Sequence, residues 1–146
     1  MASPVRGETT VVIADDDHRV GTALAALLDQ EQDFRVVGTA ANGDDAVAAA
    51  RELRAALVLT DVRMPGGGPG LVRRLVALPH RPVVVGVSAQ ADPATWTGVL
   101  AAGGSAYLLK GTVAGDLPVL LRSCLQGHLV VGVPGAPDLV RRLLSC

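Results

Sequence analysis

The sequence predicts an α/β fold in which helices are wound onto both faces of a parallel sheet. Three observations predict it. Apolar runs rich in Val and Leu alternate strictly with segments whose apolar residues recur at helical spacing, giving five strand–helix pairs. The runs are continuously apolar, as strands buried on both faces require. The length of 146 residues and the 49% hydrophobic content suit one ordinary core, built from Ala, Val and Leu because aromatics are only 2%.

Each element has its own reason. Thr10–Ala14, "TVVIA", is a β-branched run and reads as the first strand. From His18 onward, Val20, Leu24, Leu27 and Leu28 fall on one helical stripe, with Asp17 as the cap. Phe34–Ala40 reads as strand. "NGDDAVAAAREL" opens on turn and cap residues and places Val47, Ala50 and Leu53 on one helical face. "AALVLT" is the third strand, and Leu71, Val72, Leu75 and Val76 mark the next helix. "RPVVVGVSA" is the fourth strand. A helix over about Pro93 to Ala102 follows, opened by Asp92-Pro93, with Trp96, Val99 and Leu100 facing in. "SAYLLK" is the fifth strand. The last helix carries Leu117, Leu120, Leu121, Cys124 and Leu125. Residues 1–8 are expected to be disordered.

Bulk composition excludes several classes. A net charge of -1 and a pI near 6.3 do not suggest, by bulk charge, a surface for nucleic acid or membrane. No run approaches the roughly 18 apolar residues of a membrane span, and "MASPVRGETT" lacks the apolar stretch of a secretory signal. A soluble, cytoplasmic protein is expected. Cys124 and Cys146 make no metal or redox motif, and Cys124 reads as a small buried hydrophobe. His18, His80 and His128 are dispersed without ligand spacing. Of the 13 basic residues only Lys110 is a lysine, a compact point charge among planar forks.

Sheets of this class carry their sites beyond the carboxyl ends of the strands. The first strand ends in Asp15, Asp16 and Asp17, the third in Asp61, the fourth in Ser88 and the fifth in Lys110. The second ends in Thr39-Ala40, without charge. If strands one and three are neighbours and four and five follow, these groups converge. Several carboxylates at one point call for a cation between them. Hard oxygen donors with few ligands suit Mg²⁺, with the Arg63 carbonyl as a backbone ligand. Lys110 and Ser88 would face a phosphoryl group, and Asp61 is the candidate nucleophile, since carboxylates form acyl phosphates. Pro65 and the Gly/Pro run after it keep the next helix from starting early.

The motifs "VVIADDD", "LVLTDVRMPG", "VVVGVSA" and "GGSAYLLKG", in this order, closely resemble the receiver domain of two-component response regulators. The resemblance runs from about Thr9 to Gly127. It implies a flavodoxin-like, doubly wound five-stranded sheet in the order 2-1-3-4-5. It also implies a phosphoacceptor role for Asp61, supplied by a sensor histidine kinase. Asp16 would bind Mg²⁺ directly and Asp15 mainly through water, with the Arg63 carbonyl completing the shell. Ser88 and Lys110 would hold the phosphoryl oxygens. Tyr107 would be the aromatic switch that turns inward as Ser88 moves, reshaping the face of helix four, strand five and helix five.

"ADDD" before His18, and "AYLLKG", are most like the NarL/FixJ (LuxR-type) subfamily, whose receiver precedes a helix-turn-helix domain. The expected organisation is therefore a receiver over 9–127 and a linker-like tail over 128–146. The expected role in the full-length protein is transcription regulation, with DNA touched only through that missing domain and a homodimer possible. The domain is expected to be a signalling module and not an enzyme. Two other readings compete. "VVIADDD" also resembles the motif of haloacid-dehalogenase-type phosphatases, with Asp15 as nucleophile and Asp17 as acid/base, but no later acidic pair exists to complete it. A receiver used as a phosphorylation-independent dimerisation scaffold would keep the fold and drop the chemistry.

Overall fold

A computed structural model describes residues 8–90, 92–111 and 116–132. Strands β1 (Thr9–Ala14), β2 (Phe34–Ala40), β3 (Leu57–Asp61), β4 (Val83–Ser88) and β5 (Ala106–Leu109) alternate with helices α1 (His18–Asp29), α2 (Gly43–Leu53), α3 (Pro69–Val76), α4 (Pro93–Ala101) and α5 (Leu117–Leu125). A further strand, β6 (Val130–Gly132), follows α5. All pairings are parallel and the strand order is β2-β1-β3-β4-β5-β6.

The sixth strand corrects the expectation of five. Val130 N donates to Ser105 O at 3.0 Å, and Val130 and Val131 pair with Ala106 and Tyr107 on the edge that β5 would otherwise leave open. This run lies within 128–146, the stretch expected to be linker. Three residues beside Gly and Pro are too short to show a period, so the free edge of β5, not local pattern, decides their state. At the other end Glu8 is placed, and its carboxylate lies 3.1 Å from Arg35 Nε.

The continuous apolar strands feed two cores. Val12, Val58, Val84 and Tyr107 point to the face covered by α2, α3 and α4. Their neighbours Val11, Ile13, Leu57, Leu59, Val85 and Leu108 point to the face covered by α1 and α5. A period of two on each strand therefore fills both layers. Trp96 is 3% exposed and packs in the first core. Asp17 caps α1 by accepting from Arg19 N, and Asn42 caps α2 by accepting from Asp45 N. Leu53, expected inward on α2, is 45% exposed. Its tip lies over Gly38, where a Cβ would come within 2.7 Å of it, at the outer strand of the sheet. Leu125 of α5 is likewise exposed rather than buried on its stripe.

Candidate functional site at the carboxyl edge of the sheet

Asp61 is the last residue of β3 and lies in register with Val87 of β4. Asp15 follows β1 directly, and its amide is fixed by Ala40 O at 2.9 Å. Lys110 follows β5, with its amide donating to Ser88 O at 2.8 Å. The strand order puts β1, β3, β4 and β5 side by side, so one edge gathers these groups.

The two buried carboxylates are held alike. Asp15 Oδ1 accepts from Asp17 N at 2.8 Å, and Asp61 Oδ1 accepts from Arg63 N at 3.0 Å. Each is a local turn in which the side chain bonds backbone two residues on. That fixes the other oxygen of each towards Lys110, whose Nζ lies 2.8 Å from Asp15 Oδ2 and 3.3 Å from Asp61 Oδ2. Burial alone would lower the pKa of Lys110. The close negative charges of Asp15 and Asp61 outweigh burial and raise it above its ordinary 10.5.

Ligand oxygens of Asp15, Asp16 and Asp61 all lie within 4.8 Å of one another. Asp16 is exposed, while Asp15 and Asp61 are buried. Asp15 Oδ2 is fully buried and receives no aligned hydrogen bond, although the Lys110 ammonium is close. Three hard carboxylates, one with an unsatisfied buried oxygen, against a single ammonium form a donor set that suits Mg²⁺. A cleft of about 440 Å³ opens beside them, lined by Asp15, Asp16, His18, Thr39, Ala40 and Asp45 among others. The uncharged end of β2 thus forms one wall.

Ser88 and Tyr107 are both fully buried and are tied to each other through Gln90. Gln90 N donates to Ser88 Oγ at 3.2 Å, and Tyr107 OH donates to Gln90 O at 2.8 Å. Tyr107 is therefore turned inward in this structure. Gly86, its register partner, lets Val62 and Val99 close over the sheet beside the ring: a Cβ there would approach Val62 Cγ1 at 3.1 Å and Val99 Cγ1 at 3.2 Å. Gln90 was not singled out from the sequence, because it acts through backbone atoms and its side-chain type carries no signal. The Arg63 side chain, long and charged beside the acceptor position, reaches away from the acidic cluster. Its guanidinium lies 3.8 Å from Asp92 Oδ2 at the start of α4, and Asp92 accepts from Thr95 Oγ1 at 2.6 Å. Asp17 is committed to Arg19 N, which lowers its pKa, so it is a helix cap and not a free acid/base.

The Gly/Pro run is pinned, not loose. Gly67 N donates to Met64 O, and Gly43 N donates to Pro65 O, both at 2.9 Å. Gly66 has φ 73 and its backbone lies directly on Gly43, where a Cβ would overlap the Gly66 carbonyl. The loop after Asp61 is thereby seated on the start of α2.

Residues 11–122 match the family model of the response regulator receiver domain. The chain belongs to this family. It is 33% identical over 132 residues to the response regulator GacA of Pseudomonas protegens, covering 89% of this chain and 62% of that protein. The receiver therefore spans about three fifths of the length of such relatives. Among solved structures it is similar to the signal receiver domain of NarL from Mycobacterium tuberculosis, with a TM-score of 0.78 at 24% identity, covering 83% of this chain and 98% of that one. It is also similar to the non-phosphorylated receiver domain of RcsB from Escherichia coli, with a TM-score of 0.79 at 24% identity, covering 86% and 99%. These two likenesses are likenesses of fold. No helix among the described residues is long and apolar enough to cross a membrane.

Proposed function

We propose that Asp61 is the phosphoacceptor of this receiver and that a sensor histidine kinase is its donor. The observation that carries this reading is the pairing of Asp61. Its Oδ1 is fixed by a backbone amide and its Oδ2 faces the Lys110 ammonium, beside two further carboxylates. Phosphoryl transfer asks the protein for position and charge neutralisation more than for covalent chemistry. A bond forms between an Asp61 oxygen and phosphorus as the bond to the donor's imidazole nitrogen breaks, and that nitrogen keeps the electron pair.

Asp15, Asp16 and Asp61, with the Arg63 carbonyl, would hold Mg²⁺, which supplies charge neutralisation on the phosphoryl oxygens. Lys110, freed from part of its pairing with Asp15, turns to the phosphoryl group. Ser88 donates to it and gives up Gln90 N. Because Gln90 also holds Tyr107, the change passes into the start of α4 and the face of α4, β5 and α5. This is a signalling role, without turnover of a substrate. In a longer protein the altered face would regulate transcription through an attached DNA-binding domain, the receiver itself making no DNA contact.

The test is intact mass after incubation with Mg²⁺ and a small-molecule phosphodonor, beside Asp61→Asn. One added phosphoryl group is expected, absent in the variant and absent without Mg²⁺. An equal mass gain in Asp61→Asn would move the acceptor elsewhere.

A further inference from the structure

The unpaired positive charge of this receiver is not spread evenly. Among the described residues every arginine has a carboxylate within salt-bridge distance except Arg51, Arg54, Arg73 and Arg81. Arg51 and Arg73 fall in the last turns of α2 and α3, Arg54 caps α2, and Arg81 precedes β4. All four therefore lie towards the edge where the strands begin, opposite Asp61.

A cavity of about 220 Å³ opens there, lined by Arg51, Arg54, Pro79 and His80, with no carboxylate in its wall. Its two sides are tied together. His80 Nε2 lies 3.0 Å from Ala55 O, and since a carbonyl only accepts, the ring donates across from the α3–β4 loop to the α2–β3 turn. That bond fixes the spacing of the two loops, and the exposed side chains of Arg51 and Arg54 stand at the rim.

The choice of arginine needs explaining at one position. Arg51 complements the negative end of the α2 dipole, which is reason enough for its charge. Arg54 has φ 49 and ψ 47, the left-handed cap conformation that glycine adopts without cost. Arg81, next to His80, also has φ 49, and these are the only positive-φ residues other than glycine among the described residues. Arg54 therefore holds a cap position that glycine would fill at less backbone cost.

We propose that this cavity binds a phosphate dianion, either inorganic phosphate or the phosphoryl head of a small organic phosphate. Two guanidinium groups without a counter-ion match its charge, and their planar forks match its oxygens. The volume lies below the roughly 300–1,000 Å³ of pockets that enclose a whole drug-sized ligand, so only the phosphoryl head enters. The site is separate from Asp61 and does not depend on phosphorylation there.

The test is a titration of the full chain with inorganic phosphate, followed by amide NMR. It is run in Mg²⁺-free buffer at constant ionic strength, so that the acidic edge recruits no phosphate. The Arg54, Ala55 and His80 amides are expected to move and to saturate in the millimolar range. Arg54→Gly keeps a conformation that glycine favours. It is expected to melt no lower than the parent chain and to lose at least about tenfold in affinity, as is Arg51→Ala. A parallel titration with a sugar phosphate distinguishes the sources. Clearly tighter binding assigns the site to an organic phosphate, and equal binding assigns it to the free ion. No saturating movement with either ligand, or undiminished binding in both variants, overturns the proposal.

Discussion

At the scale of single residues, Lys110 decides the state of the acidic edge. It is the one ammonium facing Asp15 and Asp61, and both carboxylates are buried. Replacing it by methionine keeps the length of the stem and removes the charge. Two like charges then face each other out of water, and Asp15 Oδ2 loses its only close partner. Lys110→Met is expected to lose about 1–3 kcal/mol of stability in Mg²⁺-free buffer, read from urea melts. An unchanged midpoint would show that the ammonium does not neutralise this pair. Gly43 decides the loop on the other side of Asp61. A methyl group there overlaps the Gly66 carbonyl, and the hydrogen bond from Gly43 N to Pro65 O holds the two backbones at that distance. Gly43→Ala must push the loop away and is expected to destabilise by about 1–3 kcal/mol. It should also slow phosphorylation of Asp61 in the mass assay. Parent-like stability and rate would mean that the loop moves aside freely.

At the scale of elements, α5 is fastened to the α1–β2 connection by one side chain. Arg122 Nε and Nη2 donate to Asp33 at 2.8 and 2.9 Å, Nη2 also reaches Glu31 at 2.7 Å, and the guanidinium lies 5.6 Å from the centre of the Phe34 ring. The Arg122 fork holds the Asp33 pKa below its ordinary 3.8, so this bond stabilises the fold fully above that value. The contribution is lost as pH falls through the lower, folded-state value. The stability difference between the parent and Arg122→Met should therefore be present at neutral pH and shrink towards zero in strong acid. A difference independent of pH would assign the effect to packing on Phe34 alone. Nothing in the sequence announces this clasp, because its partners are 89 and 91 residues apart and no period links them. The strands and helices were legible for the opposite reason: burial on both sheet faces writes itself locally, as in Val83–Ser88. The converging strand ends were legible once the alternation was seen, since Asp15, Asp61 and Lys110 each follow an apolar run. What stayed hidden was β6, whose state depends on a free edge elsewhere, and Gln90, which works through its backbone.

At the scale of the whole molecule, the sheet separates charge. The edge where strands end carries Asp15, Asp16 and Asp61 against Lys110, and the edge where they begin carries the unpaired arginines of α2 and the α3–β4 loop. The acidic excess is a standing cost in the apo fold, because folding buries Asp15 and brings Asp61 up to the adjacent Asp15 and Asp16. A divalent cation that binds the folded cluster and not the unfolded chain must then raise the melting temperature by mass action. At roughly ten times its dissociation constant, Mg²⁺ should add about 1.4 kcal/mol, or about 3–6 °C for a domain of this size. The increment should fall in Asp15→Asn and Asp16→Asn, which remove ligands. It should grow in Lys110→Met, where the cation replaces a lost ammonium. Asp61→Asn should melt no lower than the parent chain without Mg²⁺, since it relieves repulsion, and should respond less when Mg²⁺ is added. The measurement is a set of thermal melts at constant ionic strength, with Na⁺ replacing Mg²⁺ in the control. Equal melting temperatures in the two salts would mean that the three carboxylates do not act together as a metal site, and the phosphoacceptor reading of Asp61 would lose its cation.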